Sequence, residues 1–182
     1  EGAAVSAAAA PPGVGEEMRM TRLFRHLFFP DWLTRHHFPK RLLQRIEAAV
    51  AESERGHSGE VRFAVEGALH PGPVWAGVSA RERAIEVFSS LHVWDTAANN
   101  GVLVYLLLAD RDVEIVADRG FNGLVAPAEW EAICREMETH LREGDFEAGV
   151  LHGIGRVDAL LRRHFPGNAD NPNELPDAPS VL

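Results

Sequence analysis

From residue 39 onward the apolar positions fall into alternating helical and strand periods. Leu42, Leu43, Ile46, Ala49 and Val50 repeat at three- and four-residue steps behind Pro39, which suits a first helical turn, and Gly56 stops the pattern. Glu60–Glu66 (EVRFAVE) alternates strictly, with Val61, Phe63 and Val65 on one face, the period of a half-buried strand. After a loop rich in Gly and Pro, Ser79 and Glu82 form a capping box for a helix carrying Ala84, Ile85, Phe88 and Leu91 inward. Residues 101–109 (GVLVYLLLA) are a continuous apolar run of strand length, expected of a central strand covered on both faces. A polar turn at 110–112 leads to a second strand at 113–117, so the two pair as an antiparallel hairpin. Trp130, Ile133, Cys134, Met137 and Leu141 mark another amphipathic helix, and Phe146, Val150, Ile154, Val157, Leu160 and Leu161 the last. This order predicts an α/β fold: a three-layer α/β/α sandwich with a small mixed sheet of three to four strands and helices on both faces.

The ends lack this periodicity. Residues 1–17 and 166–182 read as disordered tails, the second holding four prolines and too little apolar surface to offset ordering entropy. Residues 18–165, without internal repeat or linker, are expected to form a single domain. Its first part, residues 18–46, is a basic aromatic leader that Phe29-Pro30 and Phe38-Pro39 break into short pieces.

Charge adds a division. The 182 residues carry a formal −9, which disfavours nucleic acid as a partner because phosphate recognition needs a continuous basic face. The leader holds seven basic residues against Asp31 alone, so it carries +6 and the remainder −15. A single cysteine, Cys134, excludes an intramolecular disulfide, and on an apolar stripe it reads as a structural thiol rather than a nucleophile. The longest apolar run, eight residues at 102–109, is too short to cross a membrane, which takes ~20. No basic leader peptide opens the sequence, so a cytoplasmic monomer is expected, with an envelope-associated location as the alternative.

The second half also carries familiar words in a fixed order. The helix at 82–91 is followed by VWDTAANNGVLVYLLLADRDVEIVADRGFNGLV, then by W-x-x-I in a helix, then by REGDFEAGVLHGI. In this combination, over roughly residues 47–161, the chain resembles the TPM domain family. Members occur in bacterial envelopes and the thylakoid lumen, where the family is linked to photosystem II repair. The resemblance implies divalent-cation binding and acid phosphatase activity, both proposed for the family. Members of that kind usually carry a signal peptide and often a membrane anchor; this sequence shows neither pattern and resembles the shorter, anchor-free bacterial branch.

Topology locates a site independently. A right-handed crossover through the helix at 79–91 makes the first strand parallel to the second, and the hairpin makes the third antiparallel. One end of the sheet then gathers Glu54, His57 and Glu60, next Asp95, Thr96, Asn99 and Asn100, and finally Asp118 and Arg119. Hard oxygen donors dominate, so the metal expected of Glu54, His57, Glu60, Asp95, Asn99, Asn100 and Asp118 is Ca²⁺ or Mg²⁺. Against this, Asn99-Asn100-Gly101 is also ordinary turn chemistry, and Asp118 with Arg119 an ordinary surface pair. The opposite end of the strands, the more usual ligand end of parallel sheets, offers Glu66, His70, Asp110 and Asp112.

Other chemistries are absent. There is no Gly-x-x-x-x-Gly-Lys loop, Gly-x-Ser-x-Gly elbow or His-Glu-x-x-His helix, and the position six after Cys134 is His140 rather than Arg. Any hydrolysis would be metal-assisted, with His57 as a proton shuttle. The His-Phe-Pro words at 37–39 and 164–166 are expected to pack their Phe rings, and Gly149, Gly153 and Gly155 to permit close helix packing. Two readings follow: a divalent-cation-binding domain with possible phosphatase chemistry, or a non-catalytic adaptor for an envelope or membrane protein partner. Exposure of Phe24, Leu27, Phe28 and Trp32 in the leader would favour a membrane or partner surface; burial would weaken it.

Overall fold

A computed structural model describes residues 14–167 and 172–182. Its elements run α1 (Val14–Leu27), α2 (Asp31–His37), α3 (Lys40–Glu54), β1 (Glu60–Glu66), α4 (Pro71–Ala76), α5 (Ala80–Ser90), β2 (Gly101–Leu107), β3 (Asp112–Ala117), α6 (Pro127–Arg142), α7 (Phe146–His164) and β4 (Ser180–Val181), with a 3₁₀ turn at Arg119–Phe121. The mixed sheet has the order β3-β2-β1-β4. β1 lies parallel to β2 with Glu60 opposite Gly101, and β2 pairs antiparallel with β3, Val102 opposite Ala117.

Each face of the sheet has its own core. Val61, Phe63 and Val65 of β1 and Val102, Val104 and Leu106 of β2 pack with Leu42, Ile46, Ile133, Met137, Ile154 and Leu161 of α3, α6 and α7. On the other face Ala64, Leu103, Tyr105 and Leu107 meet Val74 of α4 and Ala84, Val87 and Phe88 of α5. The continuous apolar run of β2 is thus buried on both faces, as its composition requires. The capping box of α5 forms as the spacing predicts: Glu82 N–H donates to Ser79 Oγ at 3.1 Å and Ser79 N–H to the Glu82 carboxylate at 2.8 Å. In the long helices, Gly149 and Gly153 let α7 approach Met137 and His140 of α6, whereas a Cβ at Gly155 would meet nothing within 4 Å. Close packing therefore explains the first two glycines and not the third.

Several expectations are corrected. Ile85, expected on the inward face of α5, is exposed. β1 is buried along its whole length rather than on one face. Its polar positions are covered too: Glu66 accepts from Tyr105 Oη at 2.7 Å and Arg83 Nε at 2.9 Å, and Arg62 donates to the Pro176 carbonyl and, at 3.0 Å, to Ser180 Oγ. Residues 172–182, read as a disordered tail, form a strap. Ser180 and Val181 add β4 beside Ala64 and Val65, Leu182 N–H donates to the Val65 carbonyl at 3.0 Å, and Leu175 is buried. The strap escapes composition because backbone and charged groups fix it, with a single apolar anchor. The supposed loop at 71–76 is the short helix α4, started by Pro71 and stopped by Gly77 at φ +81°, one turn being too brief for a periodic signal. Of the expected first tail, residues 14–17 open α1 and residues 1–13 lie outside the described residues; so do residues 168–171 of the second.

Candidate functional site

The parallel crossover and the hairpin bring the starts of β1 and β2 and the end of β3 to one end of the sheet, where the oxygen-rich residues gather. Glu54 closes α3 and turns its carboxylate to accept from Val61 N–H at 2.9 Å. Glu60, fully buried at the start of β1, accepts from the backbone N–H groups of Glu174 and Leu175, both at 3.1 Å. Burial raises its carboxyl above the ordinary range, and these two N–H groups oppose the rise. Asn100, also fully buried, donates from Nδ2 to the Ser58 carbonyl at 2.8 Å and receives its register from Thr96, whose Oγ1 accepts Asn100 N–H at 3.0 Å. Asn99 takes a left-handed φ of 52°, accepts Gly120 N–H on its carbonyl at 2.9 Å and Arg119 Nε on Oδ1 at 2.8 Å. Asp118 caps the 3₁₀ turn by accepting Arg119 N–H at 2.7 Å, while its own N–H donates to the Gly101 carbonyl at 2.9 Å.

The residues divide into two groups. Glu54, Glu60 and His57 surround the start of β1 and are largely committed. His57 is fully buried, with Nε2 3.5 Å from Asp158 Oδ1, and burial lowers its pKa. A ring so enclosed has no route to a bound substrate, so its expected part as a proton shuttle is not supported by its position. Asn100, Asn99, Asp95 and Asp118 form the second group around the loop before β2. Here two oxygens are buried without a hydrogen-bond partner: Asn100 Oδ1 and Asp118 Oδ2. Asp95 is exposed nearby in sequence, with no side-chain bond among the described residues. Asp118 also lines an open cleft of about 680 Å³ over β3, bordered by Arg81, Glu114, Asn122, Trp130 and Glu131. No group of three or more His, Cys, Asp or Glu side chains is arranged to hold a metal among the described residues.

Sequence reasoning missed Asp177, Glu174 and Arg62. Burial first, with the adjacent carboxylates of Glu60 and Asp177 adding to it, pushes the Glu54 carboxyl up to about 8 against the opposing Val61 N–H. Glu174 ties the strap to the loop before β2 by accepting Ala97 N–H at 2.9 Å. The strap's disordered appearance hid Asp177 and Glu174, and with them the partners that give Arg62 of β1 its place. The raised Glu54 pKa carries a sign: from its ordinary 4.5 up to about 8 the folded state binds the extra proton, so stability declines as pH rises across that window. Glu54→Gln removes the titrating group. The stability of this variant relative to the wild type is expected to be higher at pH 9 than at pH 5 by urea unfolding, and an equal difference at both pH values would disprove the coupling.

The carboxylates at the opposite end of the strands serve the fold. Glu66 is held by Arg83 and Tyr105, and Asp110 accepts from Arg22 Nη2 at 2.7 Å and lies 3.0 Å from His26 Nε2. Cys134, half-buried on α6, has its thiol pushed up to about 12, chiefly by burial, which suits a packing residue.

The TPM domain family model matches residues 36–160. No curated protein matches the chain. Among solved structures, the NMR structure of the BA42 protein from the psychrophilic bacterium Bizionia argentinensis is similar, with a TM-score of 0.69 and 27% identity, covering 78% of this chain and 93% of that one. No described helix is long and apolar enough to cross a membrane. With the family match running from α2 into α7 and enclosing the whole β1-α5-β2-β3 unit, this chain belongs to the TPM domain family.

Proposed function

We propose that the chain binds a hard divalent cation, Ca²⁺ or Mg²⁺, at the loop before β2 and the end of β3. The supporting observation is the pair of partnerless buried oxygens, Asn100 Oδ1 and Asp118 Oδ2. A buried acceptor without a donor costs about 1–3 kcal/mol, and a hard cation is the ligand that oxygen acceptors prefer. Asp118 would supply charge and Asn100 a neutral oxygen, with exposed Asp95 in the adjoining loop as a further donor. So few protein ligands suit an ion that keeps several waters. Glu54 and Glu60 would act on its field rather than as ligands, since the backbone holds both.

Metal-assisted hydrolysis of a phosphate ester is the finer form of this reading. The ion would polarise phosphoryl oxygens, and the cleft that Asp118 lines would admit the ester. Titration of the metal-free protein with Ca²⁺ and with Mg²⁺, followed by backbone amide shifts, is expected to move Asn100, Asp118 and Gly120, and Asp118→Asn is expected to abolish the response. Unmoved resonances at these three positions would end the cation proposal. Cation-dependent phosphate release from an aryl phosphate, lost in Asp118→Asn, is the separate result that hydrolysis requires.

A further inference from the structure

α1 turns polar groups inward beside Leu23, which packs on the core shared with α4 and α5, and leaves large apolar side chains outward. The faces of a helix on a globular domain normally place apolar side chains against the core and charges in water. In α1 the inward residues include Arg22 and His26: Arg22 donates to the Asp110 carboxylate at 2.7 and 2.9 Å, and His26, buried, accepts Leu69 N–H on Nδ1 at 2.9 Å. These polar bonds fix which way the helix faces. Outward it turns Met20, Phe24 and Leu27, one stripe at four- and three-residue spacing, and the Phe24 and Phe28 rings stack at 6.0 Å. Exposure is high through the leader: 67% for Met18, 49% for Phe24, 54% for Leu27, 73% for Phe28 and 63% for Trp32. Single exposed apolar residues are ordinary, but six large ones within fifteen positions are not.

The charges of the leader as a whole point to the occupant of the stripe. Of the seven leader cations, Arg22 and Arg25 meet Asp110 and Arg45 meets Glu147. Arg19, Arg35, Lys40 and Arg41 form no ion pair among the described residues, and all four are exposed. A second copy seated on the same stripe through a two-fold axis would bring together two leaders of net +6, which opposes self-association. An anionic bilayer surface instead satisfies both features, since rings and methionine side chains enter the interface while arginine and lysine meet lipid phosphates. The residues outside 18–46 sum to −15, Glu16 and Glu17 at the start of α1 among them, and the bulk of the domain would be turned away from such a surface by its own charge.

We infer that the outer face of α1 and the start of α2 form a docking surface for an anionic lipid bilayer, with Phe24, Leu27, Phe28 and Trp32 as the inserting side chains. This surface lies mostly ahead of the family match, which begins at residue 36, and is independent of the cation site.

Flotation of the full chain with vesicles of phosphatidylcholine and phosphatidylglycerol, against vesicles of phosphatidylcholine alone, tests it. Binding to the anionic vesicles, weakened by added salt, is expected. Phe24→Ser, Phe28→Ser and Trp32→Ser together should lower that binding at least about tenfold. All three side chains are exposed, so the melting temperature of the triple variant should stay near that of the wild type. Absence of binding to the anionic vesicles, equal binding to both vesicle types, or unaltered binding by the folded triple variant overturns the inference. So does concentration-dependent self-association that the triple variant abolishes, because a second copy would then be the occupant.

Discussion

Deleting residues 172–182 is expected to cost the domain about 4 kcal/mol or more, although the segment holds little apolar surface. Three losses combine. Leu175 leaves a buried place that is worth roughly 2 kcal/mol for a side chain of its size. Glu60 loses the two N–H donors of Glu174 and Leu175, one to each oxygen of its carboxylate. Arg62 loses its acceptors at Pro176 and Ser180, so a guanidinium matched to the strap is left beside the sheet without them. In a chain of this size, each kcal/mol shifts the melting temperature by roughly 2–4 °C, giving a fall on the order of 10 °C. Thermal unfolding of the truncated protein measures it; a fall of only a degree or two would mean that the strap merely rests on the sheet. Glu60→Gln separates the contributions, because its amide keeps one acceptor and sets an NH₂ against the second N–H. It is expected to lose part of the stability while the strap is still present.

Gly101→Ala is expected to be comparably damaging for a different reason. A Cβ at Gly101 would lie 1.9 Å from the Val93 carbonyl oxygen and 3.0 Å from Val93 Cγ1. The obstacle is backbone, and Val93 itself is fully buried, so no side chain can swing aside. Gly101 also opens the central strand and accepts Asp118 N–H on its carbonyl, so relief of the clash would disturb the junction of β2 with β3. The cost should reach about 4 kcal/mol, at the upper end for a point substitution. Urea unfolding checks it against Gly72→Ala, where the new Cβ meets nothing within 4 Å and little change is expected. Similar stabilities for the two variants would show that the loop carrying Val93 yields.

These two cases mark what the sequence discloses and what it conceals. The periods of α3, β1, α6 and α7, the capping box at Ser79 and the apolar run of β2 are local signals, each legible within a dozen residues. They suffice for an α/β sandwich and for the gathering of Asn100 and Asp118 at one end of the sheet, because crossover handedness and a short hairpin leave few topologies. The strap is not local. Its bonds are made with Glu60, Arg62 and Ala97, far away along the chain, and Pro, Asn and Asp describe its own residues without naming those partners. The same limit applies to α1: the basic and aromatic composition of the leader is plain, but only Asp110 and Leu69 reveal that its polar side faces inward. At Gly101 the pattern Asn-Asn-Gly reads as a turn, whereas the nearby Val93 carbonyl is what demands glycine.

The sheet ends in β3 on one side and in β1 with its two-residue partner β4 on the other, and the two sides are protected by unlike means. β3 carries Asp112 and Glu114, and Arg81 donates to the Ile115 carbonyl, so charge discourages another chain from pairing there. β1 buries Val61, Phe63 and Val65 in the core, and its outer side is covered by the two residues of β4 and the strap that leads to them. Lifting the strap would leave the seven residues of β1 with unpaired amides and carbonyls along their outer side, the form of edge on which aggregation and domain swapping begin. Residues 172–182 therefore guard the solubility of the folded protein as well as its stability, and a protease that trims them would produce a chain prone to polymerise.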